Sequence, residues 1–125
     1  METITAGVLT WNCAGNPPPT GTDISDVVLP GNFLRRPSQD GPGQGPPEIY
    51  VVGLQEMVDL EVIGSVMCSK DIERMYDWEG LIRQALRKKC GNVTYDVVSR
   101  KVMFGCYIML FAREDVLKDT KLKYF

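Results

Sequence analysis

Glu56 and Asn12 each stand at the end of a short apolar run, and their side-chain oxygens suit hard-cation or acid/base chemistry. Ile49 to Leu54 is rich in β-branched and aromatic residues and has Pro46-Pro47 before it, which predicts a buried strand delivering Gln55-Glu56 to its carboxyl end. Val8-Leu9-Thr10-Trp11-Asn12, about forty positions earlier, has the same character. α/β sheets gather ligands at the carboxyl ends of their strands. Taken alone, Glu56 reads either as such a ligand or as a solvated acid that caps the next turn. A second strand ending in a second oxygen donor favours a shared site.

The elements that must position these two residues follow from the rest of the pattern. All eight prolines fall between Pro17 and Pro47, so this interval cannot be sustained helix or a central strand. Within it, Thr22 to Leu29 predicts two helical turns, with Thr22 or Asp23 as N-cap and Pro30-Gly31 as the stop. Arg35 to Pro47 predicts a flexible insertion. It lacks a clear P-x-x-P, which argues against a proline-rich docking site.

Beyond Leu60, a polar link leads to a helix near Ile72 to Lys89, with Ser69 as N-cap. Ile72, Met75, Tyr76, Ile82, Ala85 and Leu86 recur at three- and four-residue steps and predict the buried stripe. Arg74, Arg83 and Arg87 fall largely elsewhere, with Glu73 and Glu79 interspersed, and predict a solvated face rather than a membrane-binding one. Tyr95 to Ser99 predicts a half-polar strand and Arg100-Lys101 a turn. Val102 to Ala112 carries no charge and predicts one strand, about 35 Å long at roughly 3.3 Å per residue, apolar on both faces and with Cys106 buried. Arg113 to Leu117 predicts a turn or short helix, and Lys121 to Phe125 the start of another strand.

Composition narrows the class. The 125 residues amount to one domain or part of one. With 44% hydrophobic and 24% charged residues the chain is globular, and its net charge of -2 gives no electrostatic footprint for nucleic acid. No basic and apolar leader opens the sequence, and no apolar run reaches the 18 or so residues of a membrane span. The four cysteines, at 13, 68, 90 and 106, form no C-x-x-C pair, so they predict reduced thiols rather than a zinc site or a disulfide framework. Asn92-Val93-Thr94 matches a glycosylation acceptor, but a strand-entry turn is the better reading in a chain with no secretory leader.

Leu9-Thr10-Trp11-Asn12 followed by Tyr50-Val51-Val52-Gly53-Leu54-Gln55-Glu56-Met57-Val58 resembles the opening of the inositol polyphosphate 5-phosphatase catalytic domain. That domain belongs to the deoxyribonuclease-I-like endonuclease/exonuclease/phosphatase superfamily, and the synaptojanin-like members are the most similar. The resemblance continues through Trp78, the helix after it and the strand near Phe104 to Phe111. It implies an α/β fold, the four-layer α/β/β/α sandwich, of which this chain supplies about one sheet and one helical layer. Residues 1-125 then form the amino-terminal portion of the catalytic domain, with a Pro/Gly-rich loop insertion at about 30-47.

For the site, the resemblance implies Glu56 as the metal-binding glutamate and Asn12 as the asparagine that helps hold the metal or the phosphoryl oxygen, both catalytic, with Mg2+ as cofactor. Expected partners are phosphoinositide head groups at membrane surfaces or soluble inositol phosphates, in the cytoplasm or peripherally at membranes. Nucleic acid is not expected: Met57-Val58-Asp59-Leu60 is similar to the phosphatase branch, whereas the endonuclease branch tends to place a lysine soon after the glutamate.

The family's Ser-Asp-His, Gly-Asp-x-Asn, Pro-x-Trp-Cys-Asp-Arg and Gly-Asn-Lys-Gly segments are absent, and the chain contains no histidine. Losing one member of a cooperating site can remove on the order of 10⁶ in turnover. The isolated chain is therefore expected to be inactive, and a truncated, non-catalytic binding or regulatory protein is the alternative. An apolar sheet face left without a second sheet predicts an exposed patch or self-association.

Overall fold

The computed structural model describes residues 4-31, 45-57, 69-103 and 105-119. The elements run β1 (Ala6–Asn12), α1 (Ser25–Val28), β2 (Ile49–Gln55), α2 (Ser69–Cys90), β3 (Tyr95–Met103), β4 (Cys106–Arg113) and α3 (Glu114–Asp119). The strands form one sheet in the order β1-β2-β4-β3. β1 and β2 are parallel, pairing Ala6 with Ile49 and Asn12 with Gln55, so both sequence-predicted site residues lie at the same, carboxyl end of the strands. β4 runs antiparallel to both β2 and β3.

One face of the sheet is buried. Tyr50, Val52 and Leu54 of β2 and Tyr107, Met109 and Phe111 of β4 alternate with more exposed neighbours, as a period of two requires. Met75, Trp78, Ile82, Ala85 and Leu86 of α2 pack onto them, at three- and four-residue steps that make a single helical stripe. Each fully buried large side chain of this kind contributes about 1.5–3 kcal/mol. Ile72 and Tyr76, expected in the stripe, are exposed instead, and Tyr76 takes the Arg100 guanidinium 5.9 Å from its ring centroid.

α1 is a single turn, shorter than the two predicted. The N-cap is Ile24 rather than Thr22 or Asp23 and carries no side-chain cap bond; Asp23, one residue before it, accepts from the Ser25 amide at 2.9 Å, and the buried Ile24, Val28 and Leu29 complete the core. Tyr50 fixes the helix to the sheet through a buried bond from its hydroxyl to the Val28 carbonyl. Above the Tyr50 ring the neighbouring strand carries Gly7, where a Cβ would stand 2.6 Å from Tyr50 Cδ2.

The charge-free run from Val102 to Ala112 is two strand ends rather than one strand. β3 extends through Arg100-Lys101, which the sequence reading made a turn, and reverses before β4 at Gly105, whose φ of 73° suits a residue without a Cβ. β4 is consequently buried mainly on one face, Ala112 at its end being the exception, and Cys106 is exposed, not buried. Cys13, Cys90 and Cys106 are free thiols.

Pro46 and Pro47 are anchored rather than part of a flexible insertion. Arg113 Nη1 donates to the Pro46 carbonyl at 3.0 Å, and the Tyr95 hydroxyl to the Pro47 carbonyl at 2.5 Å. Most of the expected Pro/Gly-rich insertion, the link carrying Cys68, and the strand start at Lys121 lie outside the described residues.

The opposite face of the sheet is largely open among the described residues, with Ala112 alone buried on it. Val8, Ile108 and Met103 stand 66%, 49% and 64% exposed there, on three different strands. This is the apolar face expected from the sequence.

Candidate active site at the strand ends

Asn12 and Glu56, 44 positions apart, meet where β1 and β2 end: Asn12 Nδ2 donates to Glu56 Oε1 at 2.9 Å. Their backbones are laced together as well. The Cys13 amide donates to the Gln55 carbonyl and the Gly15 amide to the Glu56 carbonyl, both at 2.7 Å. Asn12 Oδ1 accepts from the Ala14 amide at 2.8 Å, which fixes the side-chain amide with its Nδ2 towards Glu56. The loop between β3 and β4 joins them, because the Met57 amide donates to the Gly105 carbonyl at 2.9 Å.

Two backbone conformations explain why the strands stop here. Ala14 and Glu56 both have positive φ, 48° and 47°, in the left-handed region that non-glycine residues enter at a cost of roughly 1–2 kcal/mol. At Glu56 this turn ends the extended chain. Such strain persists where the surroundings over-determine it, and it clusters at functional sites.

The core beneath is apolar. Met57 and Cys13 are buried, and Trp11 meets Trp78 with ring centroids 5.9 Å apart at a 54° tilt. Burial pushes the Cys13 thiol up to about 11, with the nearby Arg74 charge pulling the other way, so this thiol stays protonated and unreactive at neutral pH. Gln55 turns its side chain back on its own strand, Nε2 donating to the Gly53 carbonyl at 3.2 Å. It contributes to the site through its carbonyl.

Two charged residues of α2, Arg74 and Glu79, are structural rather than part of a solvated face. Arg74 Nη1 donates to the Gly15 carbonyl at 3.0 Å and to the Met57 carbonyl at 3.1 Å. Its sequence signal was its place four residues before the buried Trp78, hence on the same helical stripe. Glu79 is buried and accepts from Arg100 Nε at 2.5 Å, Arg100 Nη2 at 2.8 Å and Arg83 Nε at 3.2 Å, with the Tyr107 hydroxyl at 3.3 Å. The Arg100 hydrogen bonds hold its carboxyl below its ordinary range, against the burial that would raise it.

The donor set fits a hard, oxygen-seeking cation. Glu56 is exposed and offers a carboxylate, and Asn12 Oδ1 keeps a lone pair beyond the one taken by Ala14. Among the described residues no three His, Cys, Asp or Glu side chains converge. Magnesium needs only one or two protein carboxylates, the remaining ligands being waters and substrate oxygens.

The sheet, its single helical layer and the paired oxygen donors at the strand ends are a deoxyribonuclease-I-like half-sandwich. Residues 9–123 match the Endonuclease/Exonuclease/phosphatase family 2 pattern, and the chain belongs to that family. It is 33% identical over 89 residues to Type I inositol polyphosphate 5-phosphatase 2 of Arabidopsis thaliana, covering 71% of this chain and 12% of that protein. To Type IV inositol polyphosphate 5-phosphatase 3 of the same plant it is 34% identical over 79 residues, 63% of this chain and 10% of the relative. The inositol polyphosphate 5-phosphatase domain of SPsynaptojanin, solved in complex with inositol (1,4)-bisphosphate and calcium ion, shares the fold with a TM-score of 0.64 at 22% identity. That match covers 92% of this chain and 29% of the synaptojanin chain. The match thus spans only 10–12% of the length of these curated relatives.

Proposed function

We propose that residues 1-125 are the amino-terminal, cation-binding portion of a magnesium-dependent inositol polyphosphate 5-phosphatase, a phosphoric monoester hydrolase acting on phosphoinositide head groups or soluble inositol phosphates. The observation that carries this reading is the 2.9 Å pairing of Asn12 with Glu56 at the ends of two adjacent parallel strands. The Arabidopsis relatives, named for that activity, support it.

A divalent cation bound there would polarise the phosphoryl group as a Lewis acid. Glu56 supplies the negative ligand. Asn12 holds the Glu56 carboxylate in one orientation through Nδ2 and keeps a second lone pair on Oδ1, while the lacing between the two loops keeps the pair from separating. Water activation and the grip on the substrate require groups of other kinds, and the chain has no histidine to offer. The chain alone is therefore expected to bind the cation without turning substrate over.

Manganese, an oxygen-seeking probe for magnesium sites, tests this by electron paramagnetic resonance titration. Mn2+ should bind the chain, Mg2+ should displace it, and Glu56→Gln should remove binding. In parallel, no inorganic phosphate should be released from a soluble inositol polyphosphate. A chain that ignores Mn2+ would support the non-catalytic binding reading instead, and steeply salt-dependent DNA binding would support the nuclease branch. The same proposal puts the protein in the cytoplasm and at phosphoinositide-bearing membranes, which cell fractionation checks.

A further inference from the structure

We propose that Arg74 is a positioning residue for the cation site, its guanidinium clamping together the two loops that deliver Asn12 and Glu56. The proposal rests on the reading that these two residues hold a divalent cation. Arg74 lies on α2, the helix that covers the sheet, and a single nitrogen, Nη1, donates to the Gly15 carbonyl at 3.0 Å and to the Met57 carbonyl at 3.1 Å. Gly15 follows the left-handed Ala14 and Met57 follows the left-handed Glu56. The guanidinium therefore grips each loop one residue beyond its sharpest bend.

The clamp closes a circuit. Gly15 gives its amide to the Glu56 carbonyl, and its own carbonyl, like that of Met57, accepts from Arg74. Both bends are conformations their residues resist, and a hydrogen bond from a charged donor is roughly twice as strong as a neutral one. Without that donor, two inward-facing carbonyls lose their partner and the bends can relax. The Asn12 and Glu56 oxygens would then no longer be held at one separation. Arg74 reaches neither oxygen itself, so it acts through the backbone, as residues behind a ligand shell do; changing such residues typically weakens metal affinity 10–100-fold.

The test is Mn2+ affinity of the chain by electron paramagnetic resonance, read beside the unfolding midpoint of each variant. Arg74→Met, which keeps the stem and deletes the donor, should weaken Mn2+ binding about 10–100-fold. Arg74→Lys, whose ammonium can serve both carbonyls, should recover most of that loss. Arg83→Met loosens the Glu79 pair on the same helix and should lower the midpoint without moving Mn2+ affinity. Should Arg74→Met fail to fold, Arg74→Gln, with a neutral donor, carries the same readout and should bind Mn2+ more weakly than Arg74→Lys. Wild-type affinity in Arg74→Met or Arg74→Gln, with Glu56→Gln abolishing binding, overturns the clamp and leaves the cation site standing. Equal losses in Arg83→Met and Arg74→Met also overturn it, since general destabilisation would then account for both. If the wild-type chain takes up no Mn2+, or Glu56→Gln binds as the wild type does, the cation site itself falls and the clamp with it.

Discussion

Asn12 spends its side chain on two partners: Oδ1 accepts from the Ala14 amide at 2.8 Å while Nδ2 donates to Glu56 Oε1 at 2.9 Å. The first bond closes the turn after β1 and the second reaches the turn after β2. One residue thus sets both the local bend and the placement of the carboxylate. Asn12→Ala should lower stability by about 0.5–1.5 kcal/mol through the lost turn bond, measurable by urea unfolding. The same variant should weaken Mn2+ binding, whereas Asn12→Asp, which retains an acceptor for Ala14 but sets a second carboxylate against Glu56, should lose stability without a cation and regain it when Mn2+ is added.

Glu79 links stability to pH. Its folded carboxyl is held below the ordinary 4.5, first by the Arg100 hydrogen bonds. A depressed folded value means the unfolded chain binds the proton more readily. The extra stability is therefore complete above pH 4.5 and is lost as pH falls through the lower folded value. Removing the buried Glu79 carboxylate, whose arginine partners are partly exposed, should cost about 1–3 kcal/mol at neutral pH. Urea unfolding of the wild type and Glu79→Gln should give curves that differ most above pH 4.5 and converge in acid.

Gly7 is required by a close approach. A methyl there would lie 2.6 and 2.8 Å from two carbons of the Tyr50 ring and 3.2 Å from Pro47 Cγ. The ring cannot swing away cheaply, since its hydroxyl is bonded to the Val28 carbonyl at the end of α1. Gly7→Ala should destabilise the chain by about 1–3 kcal/mol, an overpacking penalty visible as a lower thermal midpoint.

The uncovered sheet face makes a prediction about association. Val8, Met103 and Ile108 are exposed on it together. At micromolar concentration the chain should scatter light as a species heavier than its 14.0 kDa, and the Val8→Lys, Ile108→Lys double variant should scatter as a monomer. A monomeric wild type would refute self-association through this face.

Much of this arrangement was legible before any coordinate. The order of strands and helices followed from periodicity and punctuation, and the Asn12/Glu56 pair from two apolar strands ending in oxygen donors. The β3–β4 reversal was not legible, because Met103, Phe104 and Cys106 around Gly105 carry none of the polar residues that usually announce a turn. Charged residues on the inner side of α2 misled for a different reason. Glu79 is buried because Arg100 comes to it from β3, 21 positions away, and Arg74 because two backbone carbonyls await it. Helical periodicity sees a charge and sends it to solvent; only the tertiary partner can bring it back.

The sheet also imposes an order on its own assembly. Cys106 pairs with Met103 across a tight reversal, whereas Ile49 must find Ala6 across the long proline-rich segment. Closing a loop becomes entropically costlier as it lengthens, and hairpins form in about 1–10 μs. Loop closure thus predicts that the β3–β4 hairpin forms early and that β1 docks late. Pulse labelling that found the Cys13 amide, which donates to the Gln55 carbonyl only once β1 has docked, protected at the same rate as the Ile108 amide would contradict this order. Asn12 and Glu56 meet only in the docking step, so a cation held between them would slow the departure of β1. The first strand to unfold would then be the one that ligand occupancy keeps in place.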